Sequence, residues 1–477
     1  MSKNYLAMMR DGEKLSLREQ VAMIVKLSIP AILAQISSIV MQYIDASMVG
    51  KLGANDSASI GLVASSTWLL GGLCMAAGTG FTVSIAKRCG AKDEKGARNL
   101  VKIGLLFVII FSTILMIISA LISGYLPAWL GGNENIRNGA SLYFYIFALS
   151  LPFVQLNSTA AGMVQCSGNM KVPGILEIIM CFLDVIFNAL FIFPSHTYNI
   201  YGIKIHMIGA GLGITGAAIG TALAEGLTAL TLLYFLLFKS KTLKPRKNEK
   251  MNDIIEEIKN SVKISLPVAL EQFITCSSYI AFTKIVSPLG TIALAAHSFS
   301  ITAESLCYMP GYGIGAAATT IIGQSIGARR YDMTKKLGWL TTMSGVLVMT
   351  ASGVVMYIIA PYMIGVLTPD PEIQALGTMV LRIEAFAEPL YAASIVATGV
   401  FRGAGDTIVP SVINLISMWF VRIPMAAVLA GKYGLKGVWI AMCFELCIRG
   451  TLFIILLGTR FKKRAEEGTY IDRKKEM

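Results

Sequence analysis

Asp45 and Asp184 lie inside the stretches 24–48 and 173–194, which are otherwise strongly apolar. A carboxylate surrounded by hydrocarbon costs several kcal/mol, so each must face a partner, a cavity or an ion. Helices running from Lys26 and Lys171 would carry the two carboxylates about 28 and about 20 Å from one face of a bilayer. Both then fall in the outer half of the same bundle, where they could share one cavity. Such a pair is held most easily with one proton, one Na⁺ or one organic cation between its members. The plainer role is that of a hydrogen-bonded structural acid. Four further acids, Glu271, Glu304, Glu384 and Glu388, lie in apolar stretches of the second half. Glu271 and Glu304 are candidates for substrate or coupling roles. Glu384 and Glu388 are expected to pair with Arg382 or another basic group.

The elements that must position these groups occur twice. Shifted by 237 residues, KLSIPAILAQ at 26–35 lies over KISLPVALEQ at 263–272. The same offset pairs Gly53 with Gly290, Gly90 with Gly327, Pro152 with Pro389, Gly168 with Gly405 and Pro173 with Pro410. Asp45 and Asp184 fall opposite Phe282 and Val421, while the four glutamates fall opposite Ala34, Thr67, Phe147 and Leu151. The acids are therefore not a requirement of the duplicated fold.

With 55 % hydrophobic and 14 % charged residues, the chain is too apolar for a soluble protein. Twelve apolar runs are long enough to span hydrocarbon, near 24–48, 57–85, 99–122, 141–166, 173–194, 213–238, 263–286, 292–322, 337–361, 379–401, 409–430 and 437–459. The fold class is thus an all-α polytopic membrane protein. An even number of spans in each half makes the two six-helix repeats parallel. With both termini placed in the cytoplasm, 32 of the 41 Lys and Arg fall on the inner side. That asymmetry fixes orientation by the positive-inside rule and accounts for the net charge of +13 without a nucleic-acid partner. The division expected is an N-tail, 1–23, with an interfacial helix suggested by Leu15, Leu17, Val21 and Ile24; a first lobe, 24–238; a solvated linker, 239–262, that leaves the lobes free to move; a second lobe, 263–459; and a C-tail, 460–477.

Several patterns carry little. Gly211, Gly213 and Gly216 satisfy G-x-G-x-x-G, but no soluble βαβ unit surrounds them, and close helix packing is the expected use. The eight cysteines show no metal-ligand spacing. Arg422, Glu445 and Arg449 are expected to form ion pairs between spans eleven and twelve, and His297 to be a hydrogen-bonded packing residue. Arg402 is expected to lock its loop through Asp406 or lipid phosphates.

The segments IDASMVGKLGA (44–54), TTIIGQSIGARR (319–330) and GVFRGAGDT (399–407) resemble signatures of the multidrug and toxic compound extrusion (MATE) family. The likeness covers nearly the whole chain. It implies two MATE-like lobes and an ion-coupled antiporter in the cell inner membrane that exports cationic or amphipathic small molecules. H⁺ or Na⁺ would be the coupling ion, lobe rocking would give alternating access, and no other cofactor is implied. In one branch of the family an aspartate pair works with an asparagine one turn before the second aspartate and a threonine on span six. Here Met180 stands in the asparagine's place, so Asn188, one turn after Asp184, is the substitute, and Thr221 is the matching threonine. Asp45, Asp184, Asn188 and Thr221 form the expected coupling site, with Asp45 and Asp184 able to ligate Na⁺. Gln42, Glu271, Glu304 and Tyr391 are the expected substrate contacts. Tyr391 stands near the place where the sodium-coupled branch carries an acid, which argues against that arrangement.

A flippase for lipid-linked saccharides is the alternative on the same fold, and it would call for a cationic cavity. An enzyme is disfavoured, because the three histidines are scattered and no nucleophile constellation appears. The lipid bilayer and small organic cations are the expected partners, and the working unit is expected to be a monomer.

Overall fold

The computed structural model describes residues 4–200, 203–246, 249–461 and 463. Helices α1 (Tyr5–Arg10) and α2 (Leu17–Gly50) lead into α3 (Ala54–Gly90), α4 (Glu94–Ile122), the single turn α5 (Leu126–Trp129), α6 (Glu134–Cys166) and α7 (Lys171–Ile192). Strands β1 (Pro194–Ile200) and β2 (Ile203–Ala210) pair antiparallel before α8 (Gly213–Tyr234), which runs on through a π-turn at Phe235–Lys239. The second set comprises α9 (Ile254–Val286), α10 (Thr291–Gly327), α11 (Tyr331–Leu367), α12 (Pro371–Glu384), α13 (Glu388–Ala404), α14 (Ile408–Ile416) and α15 (Ile423–Leu456), with a π-turn at Ser417–Arg422.

Eight stretches are long and apolar enough to cross a bilayer on composition alone. One of these, Ile408–Phe461, holds two crossings, because Gly434 takes φ +59° and breaks α15. Helices α9 and α10 and the interrupted pair α12–α13 supply the other three, giving twelve. Large apolar side chains such as Ile110, Ile114, Ile118 and Leu121 lie exposed along the outer faces, as lipid contact requires.

The duplication extends to backbone detail. Helices α9, α10, α11, α12 and α14 each begin 237 residues after α2, α3, α4, α6 and α7. Gly53 and Gly290 start equivalent helices with φ of +128° and +104°, and Gly168 and Gly405 turn with +97° and +80°. A side chain would be strained at any of the four. Even Lys92 and Arg329 share a positive φ, +59° and +57°.

The ends of α3 and α10 cross at a glycine from each repeat. A Cβ on Gly90 would sit 2.1 Å from the Gln324 carbonyl oxygen, and one on Gly327 would sit 1.9 Å from that of Lys87. These contacts are mutual equivalents under the 237-residue offset. Beneath them, Leu6, Met9, Ile24 and Leu27 of the first repeat join Ile314, Ile321, Val400 and Phe401 of the second in one buried cluster.

Two features depart from expectation. The linker is strapped to the first repeat: Arg98 on α4 holds Glu249 at 2.7 Å, Arg88 reaches Glu257, and Asn99 and Asn252 exchange two hydrogen bonds. The Arg98 guanidinium holds the Glu249 carboxyl below the usual carboxylate range. At the start of the chain, Ser16 and Glu19 form a capping box that begins α2 at Leu17. Leu17, Val21 and Ile24 are therefore continuous with the helix of the first span and do not form a separate one, and the short α1 buries Leu6 and Met9.

Gly90→Ala and Gly327→Ala should each destabilise the detergent-solubilised protein by about 1–3 kcal/mol, since backbone stands where the methyl would go. The double variant should cost less than the sum, because one separation of the helices relieves both clashes. Thermal unfolding of the three variants measures this.

Candidate functional site

In the first repeat, α2 and α7 bring Asp45 and Asp184 together through one amide. The Nδ2 group of Asn188 donates to Asp45 Oδ1 at 2.8 Å and to Asp184 Oδ2 at 3.0 Å. Helical spacing explains the placement: Glu177, Cys181, Asp184 and Asn188 share the inward face of α7, while Ile175, Ile179, Phe182 and Ile186 face outward and are exposed. Asp184 and Asn188 are buried, and Asp45 is half-buried. Thr221 of α8 meets Asp184, and Tyr143 of α6 faces both carboxylates. Gly220 gives Asn188 its room, since a Cβ there would lie 2.2 Å from Asn188 Oδ1.

A second polar rung lies about one turn further along α8, beyond Thr221, and about two turns back along α7 from Asp184. Asn157 of α6 donates to Glu225 Oε1 at 2.8 Å, with its amide also 3.7 Å from Met180 Sδ and Glu177 close by. The signal that could have found it is a lone Asn157 in an apolar span. Met180, the departure from the family pattern, is buried.

The substrate candidates do not converge. Gln42 is exposed on α2. Glu271 is held in a network: Arg402 at 3.3 Å, Asn414 Nδ2 at 2.7 Å and Ser411 Oγ at 3.1 Å all reach its carboxylate. Glu304 and Tyr391 do meet, lining one small cavity with Tyr279, Phe282, Tyr308 and Arg422.

Around that cavity, the expected ion pairs form. Glu445 accepts from Arg422 at 2.6 Å and lies 3.2 Å from Arg449 Nε. His297 is a packing residue, accepting a hydrogen bond from Trp439 Nε1 at 3.2 Å and tilted against Phe282. Two expectations are corrected. Arg382 does not pair with Glu384 or Glu388; its guanidinium lies over the Tyr357 ring, 5.3 Å from the centroid, and donates to the Tyr357 carbonyl. Among the described residues Glu384 and Glu388 find no nitrogen or oxygen donor, and only the Cys307 thiol, a weak donor, lies beside Glu388. Arg402 turns to Glu271, while Asp406 pairs with Arg460 at 3.3 Å. The glycine motif at 211–216 follows β2, but that strand belongs to a hairpin. Gly216 serves helix packing, with a Cβ there falling 2.3 Å from the Phe191 carbonyl oxygen. Among the described residues, no three His, Cys, Asp or Glu side chains converge to hold a metal ion.

The MatE family model matches residues 30–190 and 267–428, one segment in each repeat. The chain belongs to the MatE family. It is 25 % identical over 448 residues to a probable multidrug resistance protein NorM of Thermotoga maritima, covering 93 % of each chain. Its backbone resembles that of a MATE protein solved in complex with MaL6, with TM-score 0.87, 19 % identity, and 98 % and 100 % of the two chains covered. It also resembles a MOP superfamily transporter from Pyrococcus furiosus, with TM-score 0.86, 18 % identity, and coverage of 98 % and 99 %. These likenesses establish the twelve-helix fold in this chain.

Gly220→Ala should push Asn188 off the two carboxylates and weaken apparent cation affinity about tenfold, the worth of one hydrogen bond to a charged group. Gly226→Ala, whose methyl would meet only ordinary contact with Phe153 at 3.6 Å, should leave it unchanged. Cation titration of substrate transport distinguishes them. Glu445→Leu alone should destabilise by about 3–5 kcal/mol by stranding Arg422 and Arg449, whereas replacing Arg422, Glu445 and Arg449 together with apolar residues should be nearly neutral in a thermal-shift assay.

Proposed function

We propose that the protein is a secondary antiporter that exports cationic or amphipathic small molecules in exchange for H⁺ or Na⁺. The observation that carries this is the Asn188 amide shared between Asp45 and Asp184 inside the first repeat. Two carboxylates joined by one donor have a vacant preference for a single positive charge, which a proton, Na⁺ or an organic ammonium can satisfy in turn. Thr221 supplies a further oxygen. The multidrug resistance names of relatives support the choice of cargo. The acids of the spans outnumber their bases, which disfavours a flippase for anionic lipid-linked saccharides.

On this reading the lobes are 24–238 and 263–459, rocking about the glycine crossing of α3 and α10. Both termini lie in the cytoplasm of a cell whose inner membrane holds the protein as a monomer, and no resident cofactor takes part. One charge entering down ~150 mV supplies about 3.5 kcal/mol. That sustains a solute gradient of roughly 300-fold.

In everted vesicles with an imposed proton gradient, addition of fluorescent organic cations should collapse the gradient, with Na⁺ tested separately as the driving ion. Asp45→Asn and Asp184→Asn should each abolish that response. A response that survives both would remove the coupling site from the first repeat, and none to any cation, with or without Na⁺, would reopen the flippase reading.

A further inference from the structure

The segment that leads into α2 lies beside the α3–α10 crossing and holds both repeats at once. At this end the repeats are joined: Gln324 of α10 donates to the Cys166 carbonyl at 2.8 Å, and Thr320 to that of Gln165 at 3.3 Å. On the second-repeat side the segment is anchored by burial. Leu6, Met9 and Leu15, 5 %, 0 % and 6 % exposed, join Ile321, Ile326 and Met333 in one apolar cluster. Arg330, in the turn between α10 and α11, donates to the Glu13 carbonyl at 3.1 Å. The chain then runs into α2, whose Ile24 and Leu27 belong to the same cluster.

On the first-repeat side the ties go to helix ends and turns. Arg10 donates to the Cys89 carbonyl at 3.4 Å, and Asp11 pairs with Lys92 in the turn between α3 and α4. The Lys92 ammonium holds the Asp11 carboxyl below its usual range. Leu6 Cδ1 stands 2.9 Å from where a Cβ on Gly168 would lie, in the turn between α6 and α7. Between the two grips sits Gly12, whose φ of +87° supplies the turn from Asp11 to Glu13.

The two grips are unequal. Lys92 and Asp11 are 59 % and 53 % exposed, so their pairing costs little to break. Releasing Lys92, Cys89 and Gly168 unpacks no membrane span, whereas freeing Leu6 and Met9 would expose a buried cluster. The linker shows the contrast. Leu243, the mate of Leu6 under the 237-residue offset, is buried with Leu100 and Leu232, and there the fastening to α4 is the buried Arg98 guanidinium. The place to let go is therefore at α1.

We propose that residues 5–15 are a latch: they travel with the second repeat, clasp the turns of the first, and must release those turns before this end of the molecule opens. The proposal rests on the reading that the two repeats rock apart, and adds the contact that sets how readily one end does so. Once the repeats separate here, α1 cannot follow both, and the exposed side of its grip is the one that yields.

Pulsed spin–spin distance measurement on the full chain in nanodiscs tests this without any transport assay. Ketone-linked spin labels in place of Lys95 on α4 and Lys336 on α11, both exposed, span the two repeats at this end and leave the eight native cysteines untouched. The expected wild-type result is a major short distance and a minor long one. Leu6→Asp/Met9→Asp should raise the long-to-short ratio about tenfold. Asp11→Lys, which leaves the buried anchors in place, should raise it about threefold, and Asp11→Lys/Lys92→Asp should restore it. Asp11→Cys/Lys92→Cys joined by a short bis-thiosulfonate should abolish the long distance until the bridge is reduced, with the protein lacking those two substitutions treated in parallel. Two distances whose ratio ignores all four variants would overturn the latch and leave the rocking reading intact. A single distance in every variant, at every pH and with or without Na⁺, would overturn both.

Discussion

The crossing of α3 and α10 sets the geometry of everything else. Gly90 and Gly327 each press against a backbone carbonyl on the opposite helix, and neither position has space for a methyl group. In a bilayer the hydrophobic effect does not drive helices together, so close backbone approach through small residues is what holds them. Because the contact is its own equivalent under the repeat offset, it marks the pseudo-symmetry axis. The apolar cluster that α1 and α2 share with α10 and α13 builds outward from the same place.

The scaffold is symmetric and the chemistry is not. Helix starts, left-handed glycines and even the strained Lys92 and Arg329 correspond between repeats. The buried acids correspond nowhere: Asp45 and Asp184 face Phe282 and Val421 across the offset, and Glu384 and Glu388 face Phe147 and Leu151. The two repeats also resolve the same problem differently. In the first, the acids share an amide and stay near a half-exposed edge. In the second, one acid, Glu445, is neutralised by two arginines, another, Glu271, by Arg402, and the interrupted span keeps two acids enclosed without a nitrogen or oxygen donor on any described residue. A shared framework with divergent polar content suits a transporter in which one lobe's charge state must differ from the other's.

The twelve crossings and the duplication were legible because they rest on hydropathy and on glycine and proline positions, which the lipid and the backbone impose directly. That Asp45 and Asp184 could share one end of the first repeat was also legible, since depth along a helix follows from residue counting, whereas Asn188 was reached only through the family resemblance. Partner choice was not. Arg382 is two residues from Glu384 in sequence, but that spacing puts the two side chains on different faces of α12. Arg402 and Glu271 are far apart in sequence and meet only through tertiary packing. The β-hairpin was missed as well, because its strands stand outside the membrane and carry no hydropathy signal.

The leading helices show how such a body could move as two parts. The first half of α2 packs among second-repeat side chains, while its last turns, with Met41 and Val49, pack on α7 and α8 of its own repeat. Helix α9 does the converse: Ser261 lies against Gly80, and Ser265 bonds the Ala77 carbonyl of α3. Near each handover stands a proline, Pro30 or Pro267, and equivalent residues of α7 and α14 touch them, Gly174 on Pro30 and Ser411 on Pro267. A proline removes one rung of the helix ladder, so bending there costs less than elsewhere. The linker is fastened to α4 through Arg98 and Glu249, whereas the two prolines stand on the helices that carry Asp45 and Glu271, so a bend at Pro30 or Pro267 would displace those carboxylates with it.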